Sequence, residues 1–132
     1  DDHRIALPAT QRAIEVFRER AERRVPLIHY AKGSGHLHEA IRTLDIDALS
    51  LDWRDDLRAN RASFGDRFAF QGNLDPSRMH GTPEAARTAA QRVLNEAGDA
   101  PGHVFNLGHG FAPGAQIDCV EAVLRLITGE SA

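Results

Sequence analysis

The stretch Val104-Phe105-Asn106-Leu107-Gly108-His109-Gly110 ends on a histidine held between two glycines. It reads as a short apolar strand running into a tight turn. Glycine on either side lets the backbone bend sharply and lets other groups approach the ring. Histidine is the side chain most easily poised to hold or give a proton near neutral pH. His109 is therefore a candidate proton-managing or ligand-contacting residue; the plainer reading is an exposed turn histidine. A second candidate is Gly33-Ser34-Gly35, which opens a helix, where backbone N–H groups attract anions. Lys32 precedes these glycines and the remaining Walker spacing is missing, so the loop is not a P-loop. It is not a Gly-x-Gly-x-x-Gly dinucleotide fingerprint either. A carboxylate or phosphate suits it, unless the turn merely needs glycine for its backbone angles.

Other polar residues fall at the ends of apolar runs. Asp52, beside Trp53, can act as a base, orient a neighbour or cap the next helix, and capping is the simplest of these. Gln71 and Asn73 can bind a polar ligand or tie down their own loop, and Asp75-Pro76 reads as a turn. Ser34 has no His/Asp partnership that would make it a nucleophile. His29, His36, His38, His103 and His109 do not show zinc-ligand spacing, and Cys119 has no partner cysteine, so no metal site is expected.

These residues need elements to position them. Leu7 to Arg24 reads as a helix with Ala13, Ile14, Phe17 and Ala21 on one stripe, Pro8 sitting early where a helix tolerates it. Pro26 ends it and opens a strand over Leu27–Ala31. A second helix starts near His36, with Leu37, Ala40, Ile41 and Leu44 at helical spacing. Ala48–Leu51 is the next apolar run. Asp55–Phe64 is a weaker helix, closed by Gly65-Asp66, and Arg67–Gln71 is a third strand. Thr82-Pro83-Glu84 combines a cap, a first-position proline and an acid in the first turn. The helix it starts carries Ala86, Ala89, Ala90, Val93, Leu94 and Ala97 and stops at Gly98. Asp118 and Glu121 have capping-box spacing for a last helix burying Val120, Val123, Leu124 and Ile127.

The order is α, then β-α four times, which predicts a parallel sheet with helical crossovers. Such units build a small open α/β sheet or half of an eight-stranded barrel, which as a whole needs about 250 residues. In both, function sits at the carboxyl ends of the strands. Those ends are polar and glycine-rich here.

Bulk properties narrow the class further. The chain has 132 residues, 42% hydrophobic and 27% charged, with a formal net charge of -3. That balance speaks against nucleic acid or an anionic membrane as the main partner. Arg18, Arg20, Arg23 and Arg24 interleave with Glu15, Glu19 and Glu22, as on a solvated helix face. The single cysteine excludes an intrachain disulfide and fits a reducing cytoplasm. No bilayer-spanning stretch or signal peptide is visible. The chain opens on Asp1-Asp2-His3 without an initiator Met, as a processed chain or a fragment would.

Three stretches carry a resemblance. Ala31-Lys32-Gly33-Ser34-Gly35-His36-Leu37, Leu51-Asp52-Trp53 with Gln71-Gly72-Asn73-Leu74-Asp75-Pro76, and Phe105-Asn106-Leu107-Gly108-His109-Gly110 together resemble the uroporphyrinogen decarboxylase family in order and spacing. The resemblance covers nearly the whole chain. It implies a (β/α)8 TIM-type barrel of which residues 1–132 form a single C-terminal half-barrel segment. It implies removal of the four acetate carboxylates of uroporphyrinogen III to give coproporphyrinogen III, with no metal and no organic cofactor, by a cytoplasmic homodimer.

His109 matches the family's cleft histidine beside the tetrapyrrole and is the residue carried over as catalytic and substrate-binding. Gly33, Ser34 and Gly35 are carried as substrate-binding loop residues. The family's arginine pair and its cleft aspartate, tyrosine and serine lie upstream of this chain, so the chain alone is expected to be inactive. A half-barrel is also expected to self-associate to cover its open edges. Two alternatives remain in view: a corrinoid-linked methyltransferase-like barrel, against which the absence of His-x-Cys after the first strand counts, and a non-catalytic porphyrinogen- or protein-binding module.

Overall fold

The computed structural model describes residues 2–130; Asp1, Ser131 and Ala132 lie outside the described residues. Five α-helices and four parallel strands alternate as expected: α1 (Asp2–Arg20), β1 (Ile28–Tyr30), α2 (His38–Ile41), β2 (Ala48–Ser50), α3 (Leu57–Phe64), β3 (Ala69–Gln71), α4 (Pro83–Ala97), β4 (His103–Val104) and α5 (Ile117–Thr128). The spatial order of the strands equals their order in sequence. Among the described residues no helix is long and apolar enough to cross a membrane.

Right-handed crossovers between successive neighbours place every connecting helix on the same face of a sheet. Burial follows that rule. Leu49 and Phe70 point to one face and join Ile41, Leu44, Leu57, Phe64, Phe68, Ala86, Ala90 and Val93 in the core. The alternate positions point to the other face. There, at the two edges of the sheet, Ile28 and Val104 remain 52% and 48% exposed. One face of the sheet is thus packed against helices and the other is bare of them, with Ala48 and Ser50 at its centre still buried, whereas a doubly wound sheet would carry helices on both.

Local chemistry explains where the helices begin and end. Asp56 caps α3, its side chain accepting from Ala59 N–H, and Thr82 caps α4 by accepting from Ala85 N–H. These bonds satisfy donors that a helix start leaves unpaired. Gly129, at φ +73, ends α5 in the left-handed conformation that glycine adopts freely.

Several expectations require correction. α1 stops at Arg20 rather than Arg24, because the Arg18 guanidinium donates to Val25 O at 2.6 Å and draws the chain back. It also begins by Asp2, so Pro8 lies inside the helix and forfeits a backbone bond there. Phe17, placed on the buried stripe, is exposed. The helix expected near His36 is a 3-10 turn at Gly35–Leu37 followed by the single turn of α2. α5 has no capping box: Gln116 is its cap residue and Asp118 lies within the first turn. Its start is fixed instead by Gln116 N–H donating to Met79 O at 2.6 Å. With that anchor, Cys119 and Val123 face the core against α4, and Leu124 and Ile127, expected to be buried, are exposed.

Candidate functional site

The carboxyl ends of the strands meet along one edge of the sheet. Tyr30, Ser50 and Gln71 stand side by side in register on the bare face. Gln71 Nε2 donates to Ser50 Oγ at 3.2 Å. With Asn106, Leu107, His109, Gly110 and Phe111 they line a cavity of about 310 Å³.

Backbone pairing carries the fourth strand beyond its regular span. Gly72 N–H donates to Val104 O, Leu74 N–H to Asn106 O, and Gly108 N–H to Leu74 O, at 2.9, 3.1 and 2.8 Å. The stretch expected to be a strand is therefore held as one as far as Gly108, and His109 follows immediately. Gly108 is required sterically: a Cβ there would lie 2.6 Å from Trp53 Cα. Its carbonyl accepts from the Tyr30 hydroxyl at 3.1 Å. Burial, reinforced by the Asp52 charge, pushes the Tyr30 phenol up, so it keeps the proton it donates.

The His109 ring sits edge-on to two aromatic rings, with centroids 6.3 Å from Tyr30 and 5.9 Å from Trp53. On its other side lies a second cavity of about 650 Å³, whose lining includes Lys32, Trp53, Asp75, His80 and Phe111. His109, Gly110 and Phe111 belong to both cavities and form the wall between them.

Asp52 is 1% exposed and fully engaged. Its carboxylate accepts from Gly33 N–H at 3.0 Å and from Arg54 N–H, Nε and Nη2 at 3.0, 2.8 and 2.9 Å. The Arg54 guanidinium holds this carboxyl well below the usual carboxylate range, against the opposing effect of burial, with the Arg54 and Gly33 N–H groups assisting. Asp52 is thus a fixed anion that joins two loops. It does not cap the next helix, a task that falls to Asp56. Asn73 Nδ2 donates to Asp52 O at 2.8 Å and Asp55 O at 2.7 Å, so it ties its loop to the neighbouring one.

The Gly33-Ser34-Gly35 loop borders the same edge, but the Gly33 N–H and both donors of Ser34 are already partnered. Gly33 N–H binds Asp52; Ser34 N–H and Oγ both donate to Ala31 O, at 3.3 and 2.7 Å; Gly35 lies against the Asp55 carboxylate. The expected anion at this loop is supplied by the chain itself, in Asp52. The histidines are dispersed, and among the described residues no group of three or more His, Cys, Asp or Glu is placed to hold a metal ion. His29 lies on the other face of β1, where burial pushes it down.

Sequence reasoning passed over Tyr30 and Arg54. Tyr30 is the last residue of β1, so the strand-end rule that singled out Asp52 could also have found it. Arg54 follows Asp52-Trp53 directly, and its bidentate hold on Asp52 depends on a turn that no local pattern announces.

Parallel strands feeding polar loops at their carboxyl ends, with a histidine that lines two cavities, define an α/β protein of the class whose ligand sites, where it has them, lie at that edge. The sequence model of uroporphyrinogen decarboxylase (URO-D) matches residues 3–129, and the chain belongs to that family. It is 42% identical over 118 residues to the uroporphyrinogen decarboxylase of Coxiella burnetii, covering 89% of this chain and 33% of that protein. It is 45% identical over 123 residues to that of Aromatoleum aromaticum, covering 92% and 34%. With the enzyme of Azoarcus sp. the identity is 48% over 103 residues, covering 77% and 29%. The chain thus spans about a third of the length of the curated relatives it matches.

Proposed function

We propose that this chain is the C-terminal half of a (β/α)8 barrel and supplies one wall of a uroporphyrinogen decarboxylase cleft. The observation that carries this reading is the position of His109: at the carboxyl end of the fourth strand, between two cavities, beside the bare face of the sheet. In a closed barrel that face turns inward. Ile28 and Val104 mark the edges where further strands would pair.

The reaction breaks the bond between an acetate methylene and its carboxylate, releases CO2 and leaves a proton on the methylene carbon. Four such steps convert uroporphyrinogen III to coproporphyrinogen III. Protonating the pyrrole ring makes it an acceptor for the electron pair left by CO2. His109 contacts the substrate or manages one of these protons, and the edge-on rings of Tyr30 and Trp53 hold its plane. Gly33, Ser34 and Gly35 border the substrate and shape the cleft, Gly33 through its hold on Asp52. The reading calls on no metal and no organic cofactor. It places the chain in the cytoplasm, paired with the other half of the barrel or, alone, with a second copy.

The test is a decarboxylation assay on freshly reduced uroporphyrinogen, with products resolved by number of carboxylates. The chain is assayed alone and then mixed with the N-terminal half of a close relative. Activity on mixing only is expected, and His109→Ala should lower it by about a hundredfold. Activity of the chain alone would refute the composite cleft. Silence in both arms, with the halves shown to be folded and associated, would refute the decarboxylase reading and favour a methyltransferase-like or purely binding role.

A further inference from the structure

The sequence of the first strand-end loop predicts an anion there, yet the Gly33 and Ser34 N–H groups are taken by the chain's own Asp52 and Ala31. The cation of that loop is the side chain of Lys32. It is the only lysine; every other one of the sixteen Lys+Arg positions is arginine. The arginine nearest to it in the site, Arg54, is bound to Asp52, and Arg18 and Arg24 are bound to Asp45 and Asp47. Among the described residues Lys32 makes no ion pair. It is exposed, and its ammonium lies 5.6 Å from the centroid of the Trp53 ring. Arg54, fixed by Asp52, lies over the same ring at 4.6 Å. Lys32 and His109 line one cavity.

We propose that Lys32 is a carboxylate-binding residue of this cleft, its ammonium taking an acid side chain of the substrate in the cavity it shares with His109. The inference rests on the proposed function for the identity of the substrate, and it goes further by naming the cation. Lysine suits the task. An ammonium on a four-carbon stem is a mobile point charge with three donors, whereas a guanidinium is a planar fork that demands one approach. A substrate that presents four acetates in succession must be held in several orientations, and a mobile cation can follow them. Trp53 acts as a positioning residue. Its indole attracts the ammonium toward the mouth of the cavity, and the Asp52–Arg54 pair steadies the ring.

The same geometry provides the measurement. Trp53 is the only tryptophan, so its fluorescence reports ligands arriving beside Lys32. The chain and its Lys32→Met and Lys32→Arg variants are titrated with two probes: uroporphyrin I, which carries eight carboxylates, and mellitate, a benzene hexacarboxylate that is not a tetrapyrrole. Lys32→Met should weaken both about tenfold, the cost of one charge-assisted contact, while Lys32→Arg, which keeps the charge but fixes its approach, should weaken them less than Lys32→Met does. Uroporphyrin binding that is unchanged in Lys32→Met overturns the assignment and leaves the proposed substrate standing. Lysine-dependent binding of mellitate without binding of uroporphyrin keeps Lys32 as a carboxylate site and overturns the tetrapyrrole reading. Failure of the chain to bind either probe overturns both.

Discussion

The two ends of β2 carry the same device for different purposes. At the entry end Asp47 accepts from Leu27 N–H at 2.8 Å and from the guanidinium groups of Arg18 and Arg24 at 2.7 and 2.8 Å. At the exit end Asp52 accepts from Gly33 N–H and from Arg54. Arginine holds both carboxyls well below their usual range, Arg24 foremost at Asp47 and Arg54 at Asp52. The entry clamp joins the start of β1 to β2 and to the end of α1, and no cavity of the site adjoins it. At the exit clamp Asp52 is buried while the Arg54 guanidinium remains exposed, and the pair supports the Trp53 ring beside His109. One end of the strand spends its charges on chain geometry. The other spends them on a surface where Lys32 and His109 are left free for a ligand.

Breaking the exit end should cost more than breaking the entry end. The largest effect is expected from Gly108→Ala, whose added Cβ meets Trp53 backbone that cannot swing aside. Overpacking of this kind costs about 3 kcal/mol. It should appear as a lowered denaturation midpoint together with a shifted Trp53 emission maximum. An unchanged midpoint would mean that the two loops are not in contact.

Next comes Asp52→Asn, which removes charge from a buried acceptor set and should cost about 2 kcal/mol. Asp47→Asn, at a more exposed and hydrated clamp, should cost about 1 kcal/mol or less. The distinguishing readout is again Trp53 emission, which should move in Asp52→Asn and stay in place in Asp47→Asn. Equal emission changes in the two variants would erase the difference between the ends.

The smallest and most general effect is on pH dependence. Both carboxyls are depressed in the folded state, so the unfolded chain takes up their protons first as acid is added. Their stabilisation is present in full above the ordinary carboxylate value of about 4 and is lost as pH falls through the folded-state values. Each variant should therefore flatten the loss of stability on acidification below about pH 4, followed as denaturation midpoint against pH. A curve with the unaltered slope would remove that carboxyl from the account.

Much of this architecture was legible in the chain. Apolar runs and helical spacing, proline and glycine punctuation and the Thr82 cap located the alternating elements, because each of these signals acts within a few residues. The resemblance carried by three loop motifs reached the family that the comparisons show. Local signals misled where packing decided. Leu124 and Ile127 were expected inside because the helical stripe includes them, but the hydrogen bond from Gln116 to Met79 turns α5 so that Cys119 and Val123 face α4 instead.

By itself the sequence determined the order of elements, the polarity of the strand ends and the presence of His109 after an apolar strand. These depend on neighbours along the chain. Only the tertiary structure decided that all crossover helices share one face, which leaves the other bare for the cavity lined by Tyr30, Ser50 and Gln71. It also decided which anion the Gly33 loop holds. Asp52 lies beyond an intervening helix in sequence, and it reaches Gly33 only because parallel pairing of β1 with β2 brings their carboxyl ends together. With that partner in place the Gly33 N–H is satisfied, and the positive charge left for a ligand at this loop belongs to Lys32.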